Sequence, residues 1–400
     1  MERNLRLYLV YEVTQNLFFW FPVFFLYLLS AVPAKQALLL EAVYYLGVVA
    51  FEVPSGYFSD RLGRRLTLLI SMASATAGCL VFAVSHSFLP FLAAQLLLAV
   101  SMAFRSGSDS ALLYDSLAAL GRAEEFVHFE GRARSYGFLA LGGSALIGGA
   151  LAGFDLRIAY VLTAVATSVG FLIAWQFTEP LVATKHAYTP GRQLIATVGR
   201  LGDRTLLWLF AFSSAMTVFI HVPYEFLQPY LKFLFELPAA EFAVTPLVSG
   251  VVVALAMLLS AWASRQAVRA RDQFGVVGTL LASLLLEGII IVGMALLLHP
   301  IVISLMLLRS IPDALSRPII HGVIHARLST NIRATYLSMQ SLAGRLAFSG
   351  SLAIASWVIA GLEGLTPETM ATVLLGYAAM LLLVFVVLSI TRSAVTGKKP

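Results

Sequence analysis

The chain holds 400 residues, 59% of them hydrophobic and 12% charged, with a formal net charge of +6. Soluble domains carry about 25% charged residues because a folded surface must be solvated, so this composition excludes an ordinary soluble domain and makes lipid the solvent for most of the surface. A single cysteine, Cys79, excludes an intramolecular disulfide and a thiolate metal cluster.

A helix needs about 20 mainly apolar residues to cross the hydrocarbon core. Taken in chain order, the apolar runs predict spans near 6–30, 36–58, 66–86, 90–117, 131–153 and 157–178. Only Arg3 and Arg6 precede the first run, which is longer than the apolar core of a cleavable signal and lacks a small-residue cleavage site. It reads as a span. A polar stretch from Glu179 to Asp203 follows, and a second set of spans is predicted near 204–232, 242–264, 273–298, 301–325, 333–360 and 367–391.

Orientation follows from Lys and Arg in the short loops. With the N-terminus inside, Arg61, Arg64, Arg65, Arg122, Arg265, Arg269 and Arg271 fall on the cytoplasmic side, against Lys35, Arg157 and Lys232 opposite. Both termini are then cytoplasmic. The net positive charge belongs to membrane-flanking loops, and no nucleic-acid partner is expected.

Two separated segments repeat at one offset. Val48-Val49-Ala50 precedes Arg61 as Val252-Val253-Ala254 precedes Arg265, and Arg105-Ser106-Gly107-Ser108-Asp109 matches Arg309-Ser310-Ile311-Pro312-Asp313, both pairs 204 residues apart. The second span therefore corresponds to the eighth and the fourth to the tenth. Parallel halves of this kind are a transporter architecture, with substrate near the midplane between them. The reading is an all-α membrane protein of twelve transmembrane helices in two pseudo-symmetric six-helix bundles, 1–180 and 204–400, joined by a cytoplasmic linker, 181–203.

Between the second and third spans lies Gly56-Tyr57-Phe58-Ser59-Asp60-Arg61-Leu62-Gly63-Arg64-Arg65. Gly56 permits close helix approach, Gly63 a tight turn, and Asp60 can pair with an arginine or a helix N-terminus. The segment resembles the G-x-x-x-D-R-x-G-R-R signature of the major facilitator superfamily, at the loop where that family carries it. The resemblance implies a cytoplasmic latch of the outward-facing state, with Gly56, Asp60, Arg61, Gly63, Arg64 and Arg65 as the gate motif. In the second copy Ser264 stands in place of the aspartate, and Ser144–Gly149 lacks the proline and first glycine of the drug/proton antiporter motif of the fifth helix. Glu52–Gly56, Ala111–Asp115, Arg333–Ser338 and Gly344-Arg345 resemble a broad group of bacterial proton-coupled drug and metabolite facilitators.

Ionisable residues inside a span cost at least about 2.5–3.5 kcal/mol on insertion scales, so they face a cavity or a partner. The fourth span has Arg105 and Asp109; the tenth has Arg309, Asp313, Arg317, His321 and His325, four residues apart and hence on one stripe. The resemblance places the first, fourth, seventh and tenth helices around a central cavity. Either the arginines hold an anionic group while the acids carry protons, or Arg105–Asp109 and Arg309–Asp313 are permanent internal ion pairs. The seventh span adds His221, Tyr224, Glu225 and Gln228, with Pro223 and Pro229 breaking its regularity; Glu225 is a candidate proton carrier. Asn16 and Trp20 on the first span are a candidate polar and aromatic lining pair, and Glu12 reads as interfacial. Glu287 and Arg345 are isolated mid-span charges whose partners the sequence does not name.

No Walker A, H-E-x-x-H or G-x-S-x-G motif is present, so neither ATP-driven transport nor a hydrolytic membrane enzyme is expected, and no cofactor is implied. The expectation is a monomeric secondary transporter of the bacterial inner membrane, working by alternating access on a small organic solute with protons as coupling ion. Arginines on both central helices favour an anionic solute, such as a carboxylated metabolite or siderophore. The alternative is a multidrug/proton antiporter for lipophilic compounds.

Overall fold

A computed structural model of the chain describes residues 1–180, 198–199, 202–235, 244–328, 330–362 and 364–396. Every regular element among them is helical, as lipid demands: with no water to bond a bare N–H or C=O, a spanning backbone must satisfy itself. In chain order these are α1 Glu2–Gln15, α2 Phe24–Ala31, α3 Ala34–Leu62, α4 Arg64–Val84, α5 Phe88–Arg105, α6 Ser108–Ala118, α7 Phe126–Leu151, α8 Leu156–Trp175, α9 Arg204–Leu234, α10 Val244–Leu296, α11 Ile301–Met306, α12 Ile311–Arg327, α13 Thr330–Gly361, α14 Pro367–Ile390 and α15 Ser393–Thr396. α10 is two helices meeting at Gly275, whose φ of 72° only glycine adopts without strain. The expected linker 181–203 lies mostly outside the described residues.

Three expected spans are not continuous. The first stops at Gln15 and resumes at Phe24; in between, the Phe19 N–H donates to Thr163 Oγ1 of α8 (3.0 Å), while α7 presses Gly148 against the Phe19 carbonyl, a contact a Cβ would prevent. The fourth is cut after Arg105, where Gly107 turns left-handed (φ 78°). The tenth is cut between Met306 and Ile311. Pro312 has no N–H to offer the Leu308 carbonyl, so the Ile311 N–H bonds it instead (2.9 Å) and the backbone tightens. Sequence periodicity shows the apolar run and not these breaks, because each is only a few residues long.

Among the described residues, eight helices are long and apolar enough to cross a membrane. α10 counts once for two expected spans; the first and tenth spans drop out because their pieces are short, and α7 because Glu130, Arg132 and Arg134 interrupt its apolar run.

The described residues divide into two compact units, one within 1–185 and 237–254, the other within 186–236 and 255–400. In the first, Leu5, Tyr8 and Tyr11 of α1 pack with Leu68 and Met72 of α4, Leu112 and Leu113 of α6, and Ile173 of α8. Small residues bring the start of α10 onto α7: a Cβ at Gly250 would lie 2.5 Å from the Ala145 carbonyl oxygen, and Gly149 faces the Pro246 carbonyl in the same way. In the second unit α9 is tied down by backbone-directed bonds. Tyr336 Oη of α13 donates to the Leu206 carbonyl (2.5 Å), Gln340 Nε2 to that of Leu209 (3.1 Å), and Trp208 Nε1 donates to Leu388 of α14 (3.0 Å). Asp203 caps α9 by accepting from the Thr205 and Leu206 N–H groups at 2.8 and 3.3 Å.

Candidate functional site

The first unit gathers charge from α1, α5, α6 and α7. Asn16, at the end of α1, donates to the Glu12 carbonyl (2.7 Å) and Glu12 Oε1 (3.1 Å), and Gln15 donates to Glu12 Oε2. Gly137 of α7 leaves room for this knot, since a Cβ there would sit 2.9 Å from Asn16 Nδ2. Arg105, the last residue of α5, donates to the Gln15 carbonyl (3.4 Å) and holds its guanidinium 5.8 Å from the Phe18 ring centroid. Asp109 accepts from the Ser110 N–H (2.7 Å), and the Ser110 hydroxyl donates to Glu130 Oε1 (3.0 Å). Glu130 also accepts from Tyr8 Oη (3.3 Å) and pairs with Arg134 (3.0 Å).

Glu12, Asp109 and Glu130 thus lie within electrostatic reach of one another, with Arg105 and Arg134 beside them. Of the two readings, the Arg105–Asp109 ion pair is not formed in this structure. Glu12 belongs to this cluster rather than standing as an interfacial residue. Glu130 and Arg134 were missed by sequence reasoning, which began the fifth span at 131; their i, i+4 spacing of opposite charges was the available signal. Trp20 stands apart, stacked on Tyr160 with ring centroids 6.1 Å apart and packed on the apolar cluster of Val23, Ala152 and Ala159.

In the second unit Arg309 occupies the break of the tenth span. It is 4% exposed, its Nε has no hydrogen-bond partner, and its guanidinium carbon lies 5.4 Å from the Tyr224 ring centroid of α9. The alternative Arg309–Asp313 ion pair is not formed either, because Asp313 binds Arg317 one turn on, Oδ1 to Nε at 2.6 Å. Glu225 and Gln228 are buried on α9. His221 donates from Nδ1 to the Thr217 carbonyl (2.6 Å), with its ring 4.9 Å from that of Phe348. Glu287, on the 276–296 part of α10, is buried within electrostatic reach of Arg309 but makes no hydrogen bond to it. His321 is exposed, and the His325 side chain lies outside the described set.

At the α3–α4 turn, Gly63 has φ 95°, and a Cβ there would lie 2.6 Å from the Glu179 carboxyl carbon. Glu179 accepts from the backbone N–H groups of Arg64 (2.7 Å) and Arg65 (2.8 Å), capping α4 from the first residue of the polar stretch that follows the sixth span. The Arg65 guanidinium donates to the Trp175 carbonyl (2.7 Å) and covers its ring at 5.5 Å. Arg64 donates to Ser59 Oγ (2.6 Å) and reaches Asp115 at 3.6 Å. Arg61 is exposed, and the Asp60 side chain lies outside the described set. Among the described residues, a Cβ at Gly56 would meet nothing within 4 Å.

In solved structures, the chain is similar to the nucleoside transporter NupG (TM-score 0.79, 13% identity, covering 97% of this chain and 99% of that one). It is also similar to a bacterial homologue of the human lysosomal transporter Spinster (0.71, 13%, 98% and 96%) and to a POT family transporter in complex with 5-aminolevulinic acid (0.69, 12%, 98% and 97%). No curated protein matches it in sequence. Identities this low speak for the fold alone. The family follows from a sequence model, that of the Major Facilitator Superfamily, which matches residues 13–351. Broken and unbroken helices together build the twelve-helix architecture of these transporters, and the chain belongs to the Major Facilitator Superfamily.

Proposed function

We propose that the protein is a proton-coupled secondary transporter of a small organic anion, a carboxylated metabolite or siderophore, across the bacterial inner membrane. The observation that carries this reading is Arg309. It is a buried guanidinium at a helix break, held over an aromatic face and in no ion pair with a carboxylate among the described residues. A guanidinium matches a carboxylate bidentately, and the tyrosine keeps it oriented between solutes at little cost. Tyr224, His221 and Glu225 of α9 supply the neighbouring polar surface; the Glu12–Asp109–Glu130 cluster supplies proton-binding groups in the other unit. Alternating access in a monomer of two six-helix bundles, with both termini cytoplasmic and residues 56–65 as a gate, completes the proposal.

The test is thermal stability of the purified protein against carboxylated metabolites, siderophores, lipophilic cations and sugars, beside Arg309→Ala. Stabilisation by an anion that disappears in the variant is the expected result. Stabilisation by lipophilic cations alone, unchanged in the variant, would overturn it. That outcome belongs to the second reading, a multidrug/proton antiporter, which the three carboxylates of the first unit favour.

A further inference from the structure

Glu287 sits midway along the 276–296 helix, 0% exposed, and neither of its carboxyl oxygens has a hydrogen-bond partner. The charged groups that reach it are Arg309 and Asp313 of the tenth span. Asp313 is already bound to Arg317, and Arg309 turns to Tyr224 of α9 and leaves its Nε unpartnered. Beside it on the same helix, Leu381 of α14 lies over Gly288 and Leu305 of α11 over Gly293. An ionised carboxylate in such a place, with no donor, is costlier than a neutral acid, and it would draw a nearby guanidinium into a direct pair. Neither bond is made.

We propose that Glu287 is a proton-carrying group that competes with the transported anion for Arg309. In the arrangement described, Glu287 holds its proton, and the guanidinium is left to an anion on the Tyr224 side. When the carboxyl O–H bond breaks and the proton passes to water, the carboxylate takes the guanidinium and the anion is released. The guanidinium keeps all its N–H bonds throughout, so one proton accompanies each anionic group. The competition rests on the reading of Arg309 as the anion holder; the proton site on Glu287 does not.

The experiment is infrared difference spectroscopy of the full chain in lipid vesicles, with no solute added, from roughly pH 5 to roughly pH 10. The protonated-carboxyl C=O band of Glu287 is assigned by 13C-glutamate labelling and by its loss in Glu287→Gln. The expected result is a reversible loss of this band as pH rises, and in Arg309→Gln a proton affinity higher by about tenfold or more, because the cation that favours the carboxylate is gone. A Glu287 band indifferent to pH, or missing throughout, or one that titrates identically in Arg309→Gln, overturns the proposal. The wild-type titration stands even if Arg309→Gln fails to fold. An anion screen that fails while the band titrates as expected overturns the competition and the proposed substrate, and leaves the proton site in place.

Discussion

Asp313 binds Arg317 rather than Arg309, Oδ1 to Nε at 2.6 Å. The choice is one of helix geometry. Asp313 and Arg317 lie a turn apart on the intact helix α12, whereas Arg309 sits before its first residue, in the break. The exchange leaves the buried arginine to the face of Tyr224 and spends the acid on an arginine that is 69% exposed.

The two contacts should therefore differ in weight. Tyr224→Leu removes a cation–π contact in a desolvated place and is expected to cost about 1–2 kcal/mol, while Tyr224→Phe keeps most of it. Asp313→Asn breaks an exposed i, i+4 pair worth about 0.3–0.5 kcal/mol. Unfolding in detergent resolves the difference, and equal losses for the leucine and asparagine variants would contradict the assignment.

The gate motif contains a glycine that must be glycine and one that need not be. Gly63→Ala forces an alanine to φ 95° and pushes its Cβ against Glu179, a strain of about 1–3 kcal/mol. Gly56→Ala enters open space within α3 and is expected to be neutral or stabilising by up to about 1 kcal/mol. Thermal midpoints of the two variants, measured side by side, check the contrast.

Acid should loosen the start of α9. Burial raises the Asp203 carboxyl, but the Leu206 and Thr205 N–H groups and Arg327, 3.3 Å away, outweigh it and hold the folded value below the usual carboxylate range. A lowered folded value means that the stabilisation is complete above the unfolded value, about 3.9, and disappears as pH falls through the folded one. Asp203→Asn keeps the cap and should flatten that acid limb of the midpoint-against-pH curve. An unchanged limb would remove Asp203 from the account.

Gly250 allows the start of α10 to lie against α7, and any side chain there meets the Ala145 carbonyl, which is backbone and cannot swing away. Gly250→Val is expected to cost at least about 2 kcal/mol and to lower the monodisperse yield on size exclusion, whereas Gly350→Ala, at a glycine with open space around it, should pass unnoticed.

How far the fold was legible depends on what the chain repeats. The span pattern and the Gly63 turn were readable, because apolar length and a glycine at a forced turn leave local marks. The breaks were not, except that Gly107 sits inside one and Pro312 directly follows another. The site was half legible: Arg309 and Tyr224 could be named separately, but not their contact, and Glu287 looked solitary because its neighbour comes from another helix. Glu130 and Glu179 were overlooked because each lies at the edge of an apolar run, where a charge reads as solvated until tertiary packing gives it Arg134 or the α4 N-terminus.

The interruptions after Arg105 and around Arg309 fall in register 204 residues apart, overlapping at Ser106 and Ser310, yet one is made with a left-handed glycine and the other with a proline. Each arginine helix is thus bent by its own backbone device, and what the two halves share is the position of the bend and not the residue that makes it.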